Sequence, residues 1–241
     1  MPPLVLLHAI GLDSLQWQFC NGLSDVLAID LPGHGQQVGE CVESLESVAD
    51  WVAATIPAGC DVVGLSMGGM VAQHLAIRHP GYVRSFVLIC TKPSTDSQEM
   101  LKRGLAIENS GIDSVVDSTL QRWFTPQALV QRDHPGVSYV RNRMLADSPA
   151  TVASYWRAMS YHDVRESLRQ VREPVTIVMG RQDGSFSTES AEVFRKLISG
   201  SRLDIRDGPH LLCLEEPDET VGAIRSHLDW IESLEMHNEG N

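Results

Sequence analysis

Short apolar runs recur along the chain at 4–7 (LVLL), 26–29 (VLAI), 62–63 (VV), 86–89 (FVLI) and 175–179 (VTIVM). They are continuous rather than alternating and rich in Val, Ile and Leu, the pattern of strands buried on both faces of a parallel sheet. A sixth run, 203–205, alternates around Asp204 and predicts an edge strand.

Between these runs the apolar period changes to that of helices. Residues 43–54 place Leu45, Val48, Ala49 and Val52 on one stripe, and residues 67–79 do the same with Val71, Leu75 and Ala76. Near the C-terminus Val221, Ile224, Leu228 and Ile231 repeat at three- and four-residue spacing, and the tail after Leu234 reads as frayed. Strand alternating with helix predicts an α/β fold, a mostly parallel sheet flanked by helices on both faces.

The alternation stops between Pro93 and Pro174. No strand-like run occurs there, and Pro126, Pro135 and Pro149 divide the stretch into an expected four short helices. The expected organisation is a core of 1–93 and 171–241 with a helical cap at 94–170. No internal repeat or low-complexity linker interrupts it.

Composition narrows the function classes. With 241 residues, 43% hydrophobic and 21% charged, the chain is an ordinary globular protein. Its 31 acidic against 19 basic residues leave a formal charge of -12, which repels nucleic-acid backbones and anionic membranes. An anionic substrate would therefore need a local cationic patch, for which Arg122, Arg141, Arg143 and Arg157 are available in the cap. The five cysteines have no CxxC spacing, so neither a disulfide framework nor a zinc site is expected. No basic leader or run of about 18 apolar residues is present, and a cytoplasmic location is expected. The sequence carries no signature of oligomeric state.

The chemistry-bearing segment is Gly64-Leu65-Ser66-Met67-Gly68-Gly69, which follows a predicted strand and opens a predicted helix. A serine on so sharp a turn needs small neighbours, and the strand–turn–helix context favours a nucleophile over a merely Gly-rich bend. A serine hydroxyl requires a base, and a histidine base requires an orienting carboxylate. In this arrangement the chain order is Ser, acid, His. His227 lies in a helix and His237 in the tail, whereas His210 lies in a loop just past the edge strand. For the acid, Asp183 follows the strand ending at Met179 and is preferred over Asp163, Asp204 and Asp207. Met67 and Ile10 are the expected backbone donors of an oxyanion hole. For Ile10 the plainer alternative is a turn that needs no function.

The same residues resemble the α/β-hydrolase superfamily over nearly the whole chain, through LVLLHAIG, AIDLPGHG, the 62–88 segment around Ser66, PVTIVMGRQDG and DGPHLLCLEEP. Within it the chain is most similar to 3-oxoadipate enol-lactone hydrolases, on Ile10-Gly11-Leu12-Asp13 with Trp17, on LSMGGM, and on Arg122-Trp123-Phe124-Thr125-Pro126 in the cap. The resemblance implies a cofactor-free serine hydrolase that opens a small carboxylated enol-lactone, with Trp123 as a substrate-binding residue. It also implies that the first two strands of the family's sheet are missing, because members usually begin with a hairpin before the strand at Leu4. A carboxylesterase or carbon–carbon bond hydrolase is the alternative within catalysis. A non-catalytic ligand-binding protein on the same fold is the alternative outside it.

His34, in Pro32-Gly33-His34-Gly35, is expected to be structural. His74 and His79 lack a third ligand, so no metal site is expected. No phosphate-binding loop or dinucleotide fingerprint is present.

Overall fold

The structure, a computed structural model, describes residues 2–37 and 41–239. Its centre is a six-stranded sheet of β1 (Leu4–Leu7), β2 (Val26–Ile29), β3 (Asp61–Leu65), β4 (Ser85–Ile89), β5 (Val175–Gly180) and β6 (Arg202–Arg206), in the order β2-β1-β3-β4-β5-β6. Every pairing is parallel, so the sheet is wholly rather than mostly parallel. The continuous apolar runs are explained by position: β1, β3, β4 and β5 are buried along their entire length. Each Val or Leu so placed contributes about 1.5–3 kcal/mol. The edge strand β2 exposes Val26 and Leu27 at 41% and 39%.

Helices α1 (Leu45–Thr55) and α2 (Met67–Arg78) lie between strands. Ser44 caps α1 by accepting from the Ser47 N–H, and Ser47 returns a bond to the Ser44 N–H. After β5 come α8 (Thr188–Arg195), a short α9 (Leu212–Glu215) and the long α10 (Pro217–Glu239). The tail expected to fray continues α10 as far as Glu239; its last two residues lie outside the described region.

Five helices are inserted between β4 and β5 rather than the four expected: α3 (Ser97–Ser110), α4 (Val116–Trp123), α5 (Pro126–Val130), α6 (Pro135–Ala146) and α7 (Pro149–Met159). Each of the three prolines opens a helix, behind the capping side chains of Thr125, His134 and Ser148. The boundary absent from that reading is Gly111, whose φ of 77° ends α3 and separates it from α4.

These helices lie over the carboxyl ends of the strands and are tied to the core by polar contacts. Tyr155 donates to the Pro32 carbonyl at 2.8 Å, Ser154 accepts from the Val42 N–H at 3.1 Å, and Thr125 bonds Glu215. Strand order reverses between β1 and β3, where a parallel sheet opens a crevice at its carboxyl edge. Ile10 follows β1 and Ser66 follows β3, on the two sides of that crevice.

Candidate active site

Ser66 stands at the N-terminus of α2 with φ 55° and ψ -114°, a conformation that costs about 1–3 kcal/mol for a residue with a side chain. Close packing enforces it. A Cβ on Gly64 would fall 2.4 Å from the Gly68 carbonyl oxygen, and one on Gly68 would fall 2.4 Å from that of Leu7. The elbow is further held by the Ser66 N–H donating to Ile89 and by the Thr91 hydroxyl donating to the Ser66 carbonyl, at 2.9 and 2.8 Å. A serine in this place ordinarily caps its helix through Oγ. Here Oγ makes no capping bond and faces His210 instead.

Ser66 Oγ lies 3.0 Å from His210 Nε2, and His210 Nδ1 lies 2.9 Å from Asp183 Oδ2. With Nδ1–H donated to the carboxylate, Nε2 is left as the acceptor for the serine proton. Both His210 and Asp183 are buried. Burial raises the Asp183 carboxyl, but the attraction and hydrogen bond of His210, with two bonds from Ser185, overcome it and hold the pKa below the usual value. The other candidates lie elsewhere. Asp163 pairs with Arg165, Asp204 with Arg206 and Asp207 with Arg181, while His227 is buried between Thr176 and Ser85.

Across the crevice the loop after β1 uses its N–H groups one by one. Ala9 donates to Gln16 Oε1 at 2.9 Å, Gly11 to His34 Nε2 at 3.2 Å, Leu12 to the Ala9 carbonyl at 3.3 Å and Asp13 to Tyr139 at 3.3 Å. Among the described residues the Ile10 N–H takes part in none of these bonds, and neither does that of Met67 at the start of α2. Two unengaged N–H groups beside a serine are what an oxyanion requires. His34 holds this loop as an acceptor, and His8 accepts from the Leu31 N–H at 2.9 Å. Both must be neutral to do so; burial lowers His34 well below its usual pKa and takes His8 to about 4.

A cavity of about 730 Å³ opens above Ser66 and His210, bounded by Met70, Trp123, Trp156 and Met159. A second chamber of about 360 Å³, between α3, α4, α6 and α7, shares with it Ile10, Glu99, Arg103, Arg122, Trp123 and Trp156. Trp123 stacks on His210 with ring centroids 6.1 Å apart and planes 25° apart. Tyr155 is fully buried and packs the cap.

The four arginines singled out from the cap sequence separate clearly. Arg141 pairs with Asp117, Arg157 with Glu108, and Arg143 with Asp13 and Asp147. Arg122 alone of the four lines the cavity. Its Nη2 donates to Thr119 at 2.8 Å, its Nε is buried without a partner, and no carboxylate pairs with it among the described residues. Burial and the neighbouring Arg103 lower its pKa against the attraction of Glu99.

Sequence reasoning missed three groups. Arg103 also faces the cavity, bonded to Glu99 at 2.5 Å and 5.0 Å above the Trp156 ring. In sequence it is one half of an ordinary i,i+4 surface pair. Lys92, whose pKa burial lowers, lines the cavity just beyond β4, and its place after a strand at the carboxyl edge was a usable signal. Ser185 donates to Asp183 at 2.6 Å and its Oγ lies 3.3 Å from His210 Nδ1; nothing in its spacing marks it.

With a strained serine elbow, a hydrogen-bonded Ser–His–Asp line and a helical roof on a parallel sheet, the fold is that of a hydrolase. Residues 4–223 match the alpha/beta hydrolase family, and the chain belongs to it. It is 30% identical to the pimeloyl-[acyl-carrier protein] methyl ester esterase of Methylococcus capsulatus, over 94% of both chains. It is 29% identical to the protein of that name from Nitrosomonas europaea, over 84% of this chain and 85% of that one. In structure it is similar to the enol-lactonase from Burkholderia xenovorans, with a TM-score of 0.89 at 22% identity over 95% and 91% of the two chains, a likeness of fold.

Proposed function

We propose that this hydrolase opens a carboxylic ester or lactone that carries a second, anionic group, by acylation of Ser66. His210 Nε2 takes the Ser66 proton as Oγ attacks the carbonyl carbon. The N–H groups of Ile10 and Met67 receive the oxyanion, and Asp183 holds the imidazolium in place. The alkoxide or enolate then leaves the carbonyl carbon and takes the proton from His210. Water, deprotonated by the same nitrogen, releases the acyl group. The observation that carries the reading is the Ser66–His210–Asp183 line, 3.0 and 2.9 Å, beneath a cavity into which Arg122 brings a guanidinium that forms no salt bridge among the described residues. The cap at 94–170 then serves substrate choice, with the chemistry held by 1–93 and 171–241.

The finer reading is a small carboxylated enol-lactone, with Trp123 as a wall of its site. It is supported by the cap segment Arg122 to Pro126 and by the cations Lys92 and Arg122, which stand beside the Arg103–Glu99 pair and Asp96 in the cavity wall and supply the patch that the net charge of -12 otherwise denies an anion. A second reading is the methyl ester of a longer dicarboxylic acyl group. The names of the relatives favour it, and so does the second chamber, which a small lactone leaves empty. The largely buried cysteines fit a cytoplasmic enzyme in either case.

Steady-state hydrolysis of three substrates tests this: a carboxylated enol-lactone, monomethyl esters of dicarboxylic acids of increasing length, and a neutral p-nitrophenyl ester. Ser66→Ala is the control. We expect an anionic substrate to be preferred and Ser66→Ala to abolish turnover. Preference for the neutral ester would remove the anionic group from the proposal. Turnover that survives Ser66→Ala would remove the serine, and binding without turnover would leave a ligand-binding protein.

A further inference from the structure

The loop that offers the Ile10 N–H is gripped from two sides. On the core side it is held by Gln16 and His34. On the cap side it meets the last turn of α6. Arg143 Nε lies 2.6 Å from Asp13 Oδ2, an ion-pair contact without hydrogen-bond alignment, and Arg143 Nη2 bonds Asp147 Oδ1 at 2.5 Å. Tyr139, one turn earlier, donates to Asp13 Oδ1 at 2.8 Å and accepts from the Asp13 N–H at 3.3 Å. Gly11, at φ 68°, lies beside the same turn: a Cβ there would be in ordinary van der Waals contact, 3.4 Å from Met144 Cγ and 4.0 Å from Asp147 Oδ2.

We propose that Arg143 is a positioning residue for the oxyanion donor, clasping cap helix α6 to the loop after β1 so that the Ile10 N–H is presented at a fixed place. This rests on the reading of Ser66 as nucleophile and Ile10 as donor. The charge balance of the cluster sets it apart from a surface ion pair. Two carboxylates, Asp13 and Asp147, face one guanidinium, and all three side chains are largely buried, Asp147 at 3% exposure. Asp147 Oδ2 has no hydrogen-bond partner among the described residues, and burial pushes its carboxyl up to about 6 against the pull of Arg143. Without Arg143 the two carboxylates repel each other across the junction of α6 and the loop. The donor then moves, and unbalanced negative charge stands beside the site where an oxyanion forms. Misplacing a catalytic group by about 1 Å costs up to about 100-fold in rate.

The test compares wild type with Arg143→Gln, Arg143→Lys, Tyr139→Phe and the double variant Arg143→Gln/Asp147→Asn, using a neutral p-nitrophenyl ester and phenylboronic acid. The boronate forms a tetrahedral adduct on serine with an oxygen at the oxyanion position, so it reports the donor directly. For Arg143→Gln we expect kcat to fall about 10-fold with KM unchanged, and boronate affinity to fall by a similar factor. Arg143→Lys and the double variant, which restore charge balance, should recover most of both losses. If Arg143→Gln does not fold, Tyr139→Phe decides, with an expected loss of about threefold in kcat and in boronate affinity. Wild-type kcat in Arg143→Gln, a change in KM alone, a kcat loss with unchanged boronate affinity, or no recovery in Arg143→Lys and the double variant would each overturn the clasp. Failure of the underlying reading shows separately, as activity retained in Ser66→Ala.

Discussion

The sheet and the cap position their functional groups by different means. At the carboxyl edge of the sheet, Ser66 is held by a backbone hydrogen bond to β4 and by glycines that admit no Cβ, and the N–H groups of Ile10 and Met67, proposed as oxyanion donors, are themselves backbone. In the cap, Arg103 and Arg122 are placed by long side chains lying against Trp156 and Thr119. Backbone placement leaves no room for substitution without loss of geometry, whereas side-chain placement can change by one residue at a time. The chemistry should therefore belong to the sheet and the choice of substrate to the cap, with the contact of Arg143 and Tyr139 on the loop after β1 as the place where the cap reaches the chemistry.

The largest effect expected is on the sheet side. Asp183→Asn keeps the shape of the site but favours the wrong histidine tautomer, and kcat should fall about 10⁴-fold on every substrate alike. A loss confined to anionic substrates would break the division between the two regions. Next, Arg122→Met should reduce kcat/KM about 10- to 100-fold for an anionic ester, the range for a charged hydrogen bond of about 1.5–3 kcal/mol, and leave a neutral ester within twofold. Equal losses on both would make Arg122 a structural group.

A third prediction concerns both regions at once, because neutral histidines are buried in each. Burial takes His8 in the core, His162 beside the cap and His227 under the sheet from the ordinary 6.5 to about 4. The unfolded chain takes up these protons near pH 6.5 while the native chain resists until about 4, so stability is full above 6.5 and declines through that window. Melting temperature should be flat from pH 7 to 8 and fall steadily below about 6, as about 6 kcal/mol of stability is lost by pH 5. A flat profile down to pH 5 would contradict neutral burial. The smallest effect is at the triad's rim, where Ser185→Ala removes one hydrogen bond from Asp183 and should lower kcat about fivefold, for about 1 kcal/mol.

The same contrast decides how much could be read from the sequence. Strands buried on both faces declare themselves as continuous apolar runs, and an elbow that forbids a Cβ declares itself as Gly64 and Gly68. Ser66, Asp183 and His210 were legible because each follows a strand or lies in a loop at the carboxyl edge. The cap was not legible to the same depth. Three of its boundaries carry proline, but the fourth rests on the left-handed conformation of Gly111, and glycine has many other uses. Arg122 was visible only as one of four arginines, and its distinction is the absence of a carboxylate partner in space. Arg103 was hidden behind its helical pairing with Glu99. Arg143 was visible as a cation but not as a clasp, since Asp13 lies far from it in the chain.

The most direct test of the division combines a fluorophosphonate probe, which reads serine reactivity without regard to substrate charge, with a matched pair of mono- and dimethyl esters of one dicarboxylic acid. Wild type and Arg122→Met should be labelled at Ser66 at the same rate, Ser66→Ala should not be labelled, and only wild type should prefer the monoester. Slower labelling of Arg122→Met, or a monoester preference that survives the loss of Arg122, would contradict the assignment of chemistry to the sheet and choice to the cap.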